Sequence, residues 1–118
     1  MLIRVVASAA LLLALGAGPA FADKRSDAKA QVAFGISVAQ RGLWKEATYR
    51  WQKAVEIDPT YAAAWNNLAI AYEHEGRFDD ARHAYDKAVA LDPDNLLIRQ
   101  NYDLFKEIND RAAQKDGR

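Results

Sequence analysis

Along residues 65–81, WNNLAIAYEHEGRFDDA, apolar side chains recur at one spacing, stop at Gly76 and resume at Phe78. Trp65, Leu68, Ala69 and Tyr72 fall at i, i+3, i+4 and i+7, which is one face of an α-helix. Gly76 can take the left-handed conformation that ends such a helix. Asp79 and Asp80 then stand where acidic side chains favour a helix start. Phe78, Ala81, Tyr85 and Ala88 mark the buried face of the second helix, and Pro93 stops it by disfavouring helical geometry at Asp92. The pattern predicts two antiparallel helices whose alanines let the rings of one fill the spaces of the other.

The same pattern stands 34 residues earlier. Pairing residues 28–61 with 62–95 gives identity at Ala28/Ala62, Ala30/Ala64, Ile36/Ile70, Gly42/Gly76, Ala47/Ala81, Lys53/Lys87, Ala54/Ala88, Val55/Val89, Asp58/Asp92 and Pro59/Pro93. Phe34/Leu68, Trp44/Phe78, Trp51/Tyr85 and Ile57/Leu91 keep their character. Phe34, Gly35 and Val38 are expected to face Ala47, Trp51 and Ala54 across a turn at Gly42, with Gly35 allowing close helix packing.

With Trp65, Leu68, Ala69, Tyr72, Ala81, Tyr85, Ala88 and Pro93 in register at a period of 34, the chain resembles the tetratricopeptide repeat. The resemblance covers two units, 28–61 and 62–95. It implies an all-α fold of helical hairpins coiled into a right-handed superhelix, about five helices in all. The first unit departs from the pattern at Gln31 and Val38, so the first hairpin is expected to be the looser one.

Residues 96–113 continue the register for one helix. Ile98, Tyr102 and Phe105 form a stripe that can pack on the second hairpin. Arg99, Asp103 and Lys106 occupy the slots of Trp65, Ala69 and Tyr72, so the outward face is polar, as the end of an array requires. The segments 23–27 and 114–118 are polar and read as frayed ends.

The first 22 residues, MLIRVVASAALLLALGAGPAFA, have the three parts of an export signal: Arg4, an apolar run over 5–17, and Ala20-Phe21-Ala22 as a small-x-small cleavage site. A retained membrane anchor is the alternative, but the run is short of the ~20 residues that span a bilayer. The expected location is the periplasm or the exterior, without stable membrane insertion after cleavage.

Composition narrows the function classes. The 118 residues carry 16 basic and 16 acidic side chains, and loss of Arg4 with the signal would leave 15 against 16. No basic stripe is present to bind nucleic acid. With no cysteine there is neither a disulfide framework nor a thiolate metal site. No hydroxyl nucleophile has His and Asp at triad spacing, so a non-enzymatic role without a cofactor is expected. His74 and His83, near Glu73, Glu75, Asp79 and Asp80, follow no metal-ligand spacing and read as solvated turn residues.

The resemblance further implies a concave face lined by the first helix of each hairpin. It assigns Lys29, Val32, Ala33, Ile36 and Gln40 from the first unit, Ala63, Asn66, Asn67, Ile70 and His74 from the second, and Leu97, Gln100, Asn101 and Leu104 from the cap. Periodicity adds that Ile36, Ile70 and Leu104, 34 apart, should form an apolar line with Asn67 and Asn101 beside it. Such a line suits an extended or helical peptide; packing between helices is the other reading, open for Ile70 and favoured for Asn67. The carboxylate clamp of some co-chaperones of the family would fall on Val32, Ile36, Asn67, Leu97 and Asn101, of which only Asn67 matches. A peptide or protein partner is expected, with self-association at the first hairpin's edge as the alternative.

Overall fold

The computed structural model describes residues 8–117, with side chains from residue 23 onward. Residues 1–7, which hold Arg4 of the expected export signal, and residue 118 lie outside the described residues, as do the side chains of the rest of that signal. Among the described residues five helices follow one another: α1 Ser8–Gln40, α2 Trp44–Ile57, α3 Ala62–His74, α4 Phe78–Leu91 and α5 Leu96–Lys115. Among the described residues there is no strand. α1 pairs with α2 and α3 with α4, while α3 also touches α1 and α5, so the three first helices lie side by side.

The two hairpin turns are built alike. In the second, the Gly76 N–H reaches the Glu73 carbonyl at 3.0 Å and the Arg77 N–H the Tyr72 carbonyl at 2.8 Å. In the first, Gly42 reaches Ala39 at 2.9 Å and Leu43 reaches Val38 at 3.0 Å. This double bond closes a helix only when the residue after its last turn has positive φ. Gly42 (φ 79°) and Gly76 (φ 72°) provide it.

The repeated Asp-Pro organises the turn between hairpins. Asp58 accepts hydrogen bonds from the Thr60 amide and hydroxyl on Oδ1 and from Arg25 Nε on Oδ2. Asp92 accepts from Asn95 Nδ2, and Asn95 caps α5 by accepting from the Ile98 amide. Residues 23–27, expected to be frayed, are therefore helical and tied down, with the Arg25 guanidinium also lying 4.7 Å from the Tyr61 ring centre. At the other end α5 runs to Lys115, two residues beyond the expected boundary and into the segment expected to be disordered.

The core joins Ala47, Trp51 and Ala54 of α2 to Leu68, Ala69 and Tyr72 of α3 and Ala81, Ala84 and Tyr85 of α4. The first hairpin is not loosely filled. Trp51 occupies the volume that Gly35 vacates, is 3% exposed, and donates from Nε1 to the Val32 carbonyl at 3.1 Å. Tyr85 plays the same part opposite Ala69, with its hydroxyl on Glu73 Oε2. α5 is held by its expected stripe: Ile98 and Phe105 are buried, and Tyr102 stacks on Tyr85 with ring centres 5.2 Å apart.

Two aromatics expected in the hairpin cores are half in water. Phe34 and Phe78 are each 48% exposed. Leu68, the counterpart of Phe34, is covered by the preceding α2, whereas among the described residues no helix packs on that side of α1. Phe78 begins α4 opposite the last turns of α5, where a cleft remains.

Candidate functional site

Each first helix presents the same register positions to the side away from its second helix, and burial divides them. Ile36 and Leu104 are 41% and 56% exposed, and Ile70 between them in the register is half-buried, packed in part against the core. Leu97, on the cap, is 62% exposed. Lys29, Ala33, Gln40 and Gln100 are also exposed.

Val32 and Asn66 do not belong to the accessible face. They share one register place, and at 6% and 5% exposure both are buried. That place lies where the next first helix arrives. Asn66 shows the consequence, since its Oδ1 accepts from Asn101 Nδ2 of α5 at 3.2 Å. Its own Nδ2 donates to Asn67 Oδ1 at 3.3 Å, so three amides run in a chain from α3 to α5. A buried amide without such partners would cost about 1–3 kcal/mol, which makes the chain a fastener between the helices. Asn67 and Asn101, at its two ends, are half-buried; Asn67 keeps its NH2 group and Asn101 its carbonyl oxygen without a partner among the described residues.

His74 is exposed, but it is not merely solvated. Its ring lies flat on Trp44 with centres 3.6 Å apart, and His83 meets Trp65 edge-on at 6.3 Å. Among the described residues no group of three or more histidine or acidic side chains is placed to hold a metal ion. Ionisable groups instead serve packing. Burial, reinforced by the Glu73 carboxylate that accepts its hydroxyl, holds the Tyr85 phenol well above its ordinary range.

Sequence reasoning missed a cleft of about 360 Å³ where Phe78, Phe105 and Ile108 meet Glu73 and Asp79. The signal was available in the register. Ile108 stands 34 residues after His74 and Phe78 stands 34 after Trp44, but the flat stack that closes this place in the first unit has no equivalent in the second.

Similarity to known proteins agrees with this architecture. The family description "Tetratricopeptide repeat" matches residues 62–95, and "TPR repeat" matches residues 37–76. The chain belongs to the tetratricopeptide repeat family.

It is 36% identical over 83 residues to the type IV pilus assembly protein PilF of Pseudomonas aeruginosa, covering 70% of this chain and 32% of that protein. To the chloroplastic tetratricopeptide repeat domain-containing protein PYG7 of Arabidopsis thaliana it is 29% identical over 85 residues, 72% of this chain and 28% of that one. The photosystem I assembly protein Ycf3 of Rippkaea orientalis is 30% identical over 82 residues, 58% of this chain and 47% of Ycf3. The solved structure of P. aeruginosa PilF superposes with a TM-score of 0.71 at 31% identity, over 75% of this chain and 40% of that one. The chain thus spans less than half the length of these curated relatives.

With the family comes the coarse function, a module for protein interaction. Among the described residues no helix is long and apolar enough to cross a membrane.

Proposed function

We propose that this protein is a non-catalytic adaptor of a bacterial cell envelope, and that it holds a peptide segment of a partner along the first helices of its hairpins. The observation that carries this is the recurrence of Ile36, Ile70 and Leu104 at one register position, with the two outer members 41% and 56% exposed. An apolar side chain left in water once needs no explanation. One left at the same place in the first and last of three first helices, with half-buried Ile70 between them and the partly free amides of Asn67 and Asn101 alongside, forms a strip that can bury a partner's side chains and pair with its backbone.

Ile36, Ile70, Leu97 and Leu104 are the apolar contacts, Asn67 and Asn101 the polar ones, and His74 stands at the strip's edge; Val32 and Asn66 support it from beneath. The envelope assignment rests on the three-part leader over residues 1–22. PilF and Ycf3 carry assembly in their names, which favours a subunit of a multiprotein complex as the partner.

Selection from a random dodecapeptide library against the purified full chain tests the reading. Enriched peptides should lose binding to the Ile36→Asp/Leu104→Asp variant while its helical circular dichroism and melting stay those of the parent. Peptides that bind parent and variant equally would overturn it.

A further inference from the structure

Among the described residues, the register that organises the core leaves a seam open on α1. On α3, positions 64, 68, 71 and 75 face the preceding hairpin, and on α5 positions 98, 102, 105 and 109 do. Ala64, Leu68 and Ala71 are buried, and Glu75 accepts a hydrogen bond from Thr48 of α2. Ile98 and Phe105 are buried, and Tyr102 stacks on Tyr85 of α4. The same places on the α1 side are Ala30, Phe34, Ser37 and Arg41, and all four are exposed.

We propose that a second copy of this chain closes the seam, α1 against α1, antiparallel about a two-fold axis at Phe34. The charges select this occupant. Asp27 on α1 and Arg41, the first residue past its end, each stand seven residues from Phe34, roughly 10 Å along the helix axis, and a seven-residue step returns close to the same face. A two-fold at Phe34 sets each position opposite its mirror in the register, so Asp27 of each copy meets Arg41 of the other. Among the described residues neither side chain has a hydrogen bond or ion pair. A parallel arrangement would put Asp27 on Asp27 and Arg41 on Arg41, so the same two charges reject it.

The shape of the seam agrees. Ala30 and Ser37 are small enough to let two helices approach, and the exposed part of each Phe34 ring is buried at the axis. The Arg50 guanidinium lies 4.2 Å from the Phe34 ring centre and is paired with Glu46 at 3.0 Å, so it flanks the axis without adding net charge. Head-to-tail growth is disfavoured, because the outward face of α5 would bring Arg99, Asp103 and Lys106 against Phe34.

Sedimentation equilibrium tests this on the chain purified from cells expressing the whole sequence. The parent should dimerise reversibly and Phe34→Asp should be monomeric. Asp27→Arg and Arg41→Asp should each weaken the dimer by on the order of tenfold, and the Asp27→Arg/Arg41→Asp double variant, which restores opposite charges, should return most of the affinity. A parent that stays monomeric at hundreds of micromolar overturns the proposal. So does a dimer unmoved by Phe34→Asp, or a double variant weaker than either single one.

Discussion

A Cβ on Gly35 would lie 2.3 Å from Trp51 Nε1, closer than side-chain atoms approach, while that same nitrogen donates to the Val32 carbonyl. The two residues therefore form one unit, in which the missing side chain makes room for the indole and the hydrogen bond fixes where the indole must sit. In the second hairpin the same register place pairs Ala69 with Tyr85. A smaller ring leaves space for a methyl group.

Gly35→Ala should destabilise the protein by about 1–3 kcal/mol through overpacking, against the ~1 kcal/mol that alanine ordinarily gains over glycine in a helix. Adding Trp51→Phe should recover part of that loss, since it imitates the Ala69/Tyr85 pair without a phenol that would face Ala39 where the second unit has Glu73. Urea midpoints of the four proteins give the coupling. Additive losses would show that the two side chains do not share the space.

Tyr85 supplies a pH test. Burial, then the Glu73 carboxylate, raises its ionisation above the value of an unfolded chain. The unfolded phenol ionises near pH ~10 while the folded one stays neutral, so this contribution is complete below that pH and declines as pH rises above it. Tyr85→Phe should be about 1 kcal/mol less stable at pH 7, from loss of the hydrogen bond to Glu73. The gap to the parent should narrow between pH 10 and 11. A gap that stays constant across that range would mean the phenol titrates freely in the folded state.

Asp58 works in the opposite sense. Burial pushes its carboxyl up, but the Thr60 hydroxyl, Arg25 and the Thr60 amide together outweigh that and leave it below the ordinary value. Its contribution is present above pH ~3.9, the unfolded value, and is lost as pH falls through the folded value. Asp58→Asn should thus lower stability at pH 7 and reduce the acid-induced part of the loss seen in the parent. Arg25→Ala should do less, because the Arg25 side chain is 41% exposed and its ion pair is screened.

The hairpins, both glycine turns and the stripe that fastens the cap were legible in the sequence because each depends on residues close together in one unit. What escaped it depends on a neighbouring unit. A single period treats Phe34 and Leu68, or Val32 and Gln100, as equals, but among the described residues no helix covers the Phe34 side of α1 or the Gln100 side of α5. Phe34 is exposed where Leu68 is covered, and Gln100 is exposed where Val32 and Asn66 are covered. The Asn66–Asn101 bond spans 35 residues rather than 34, so alignment of the units could not display it. Of the positions assigned to the concave face, Ile36, His74, Leu97 and Leu104 are exposed while Val32 and Asn66 are buried.

The most direct measurement is site-specific photo-crosslinking in the native cells. A benzophenone amino acid would be placed in turn at Ile36 and Leu104 on the strip, and at the exposed Glu56 and Lys87 of the second helices. Adducts with one discrete partner from positions 36 and 104, absent from 56 and 87, are the predicted result; equal labelling from all four, or adducts from 56 and 87 alone, would contradict it.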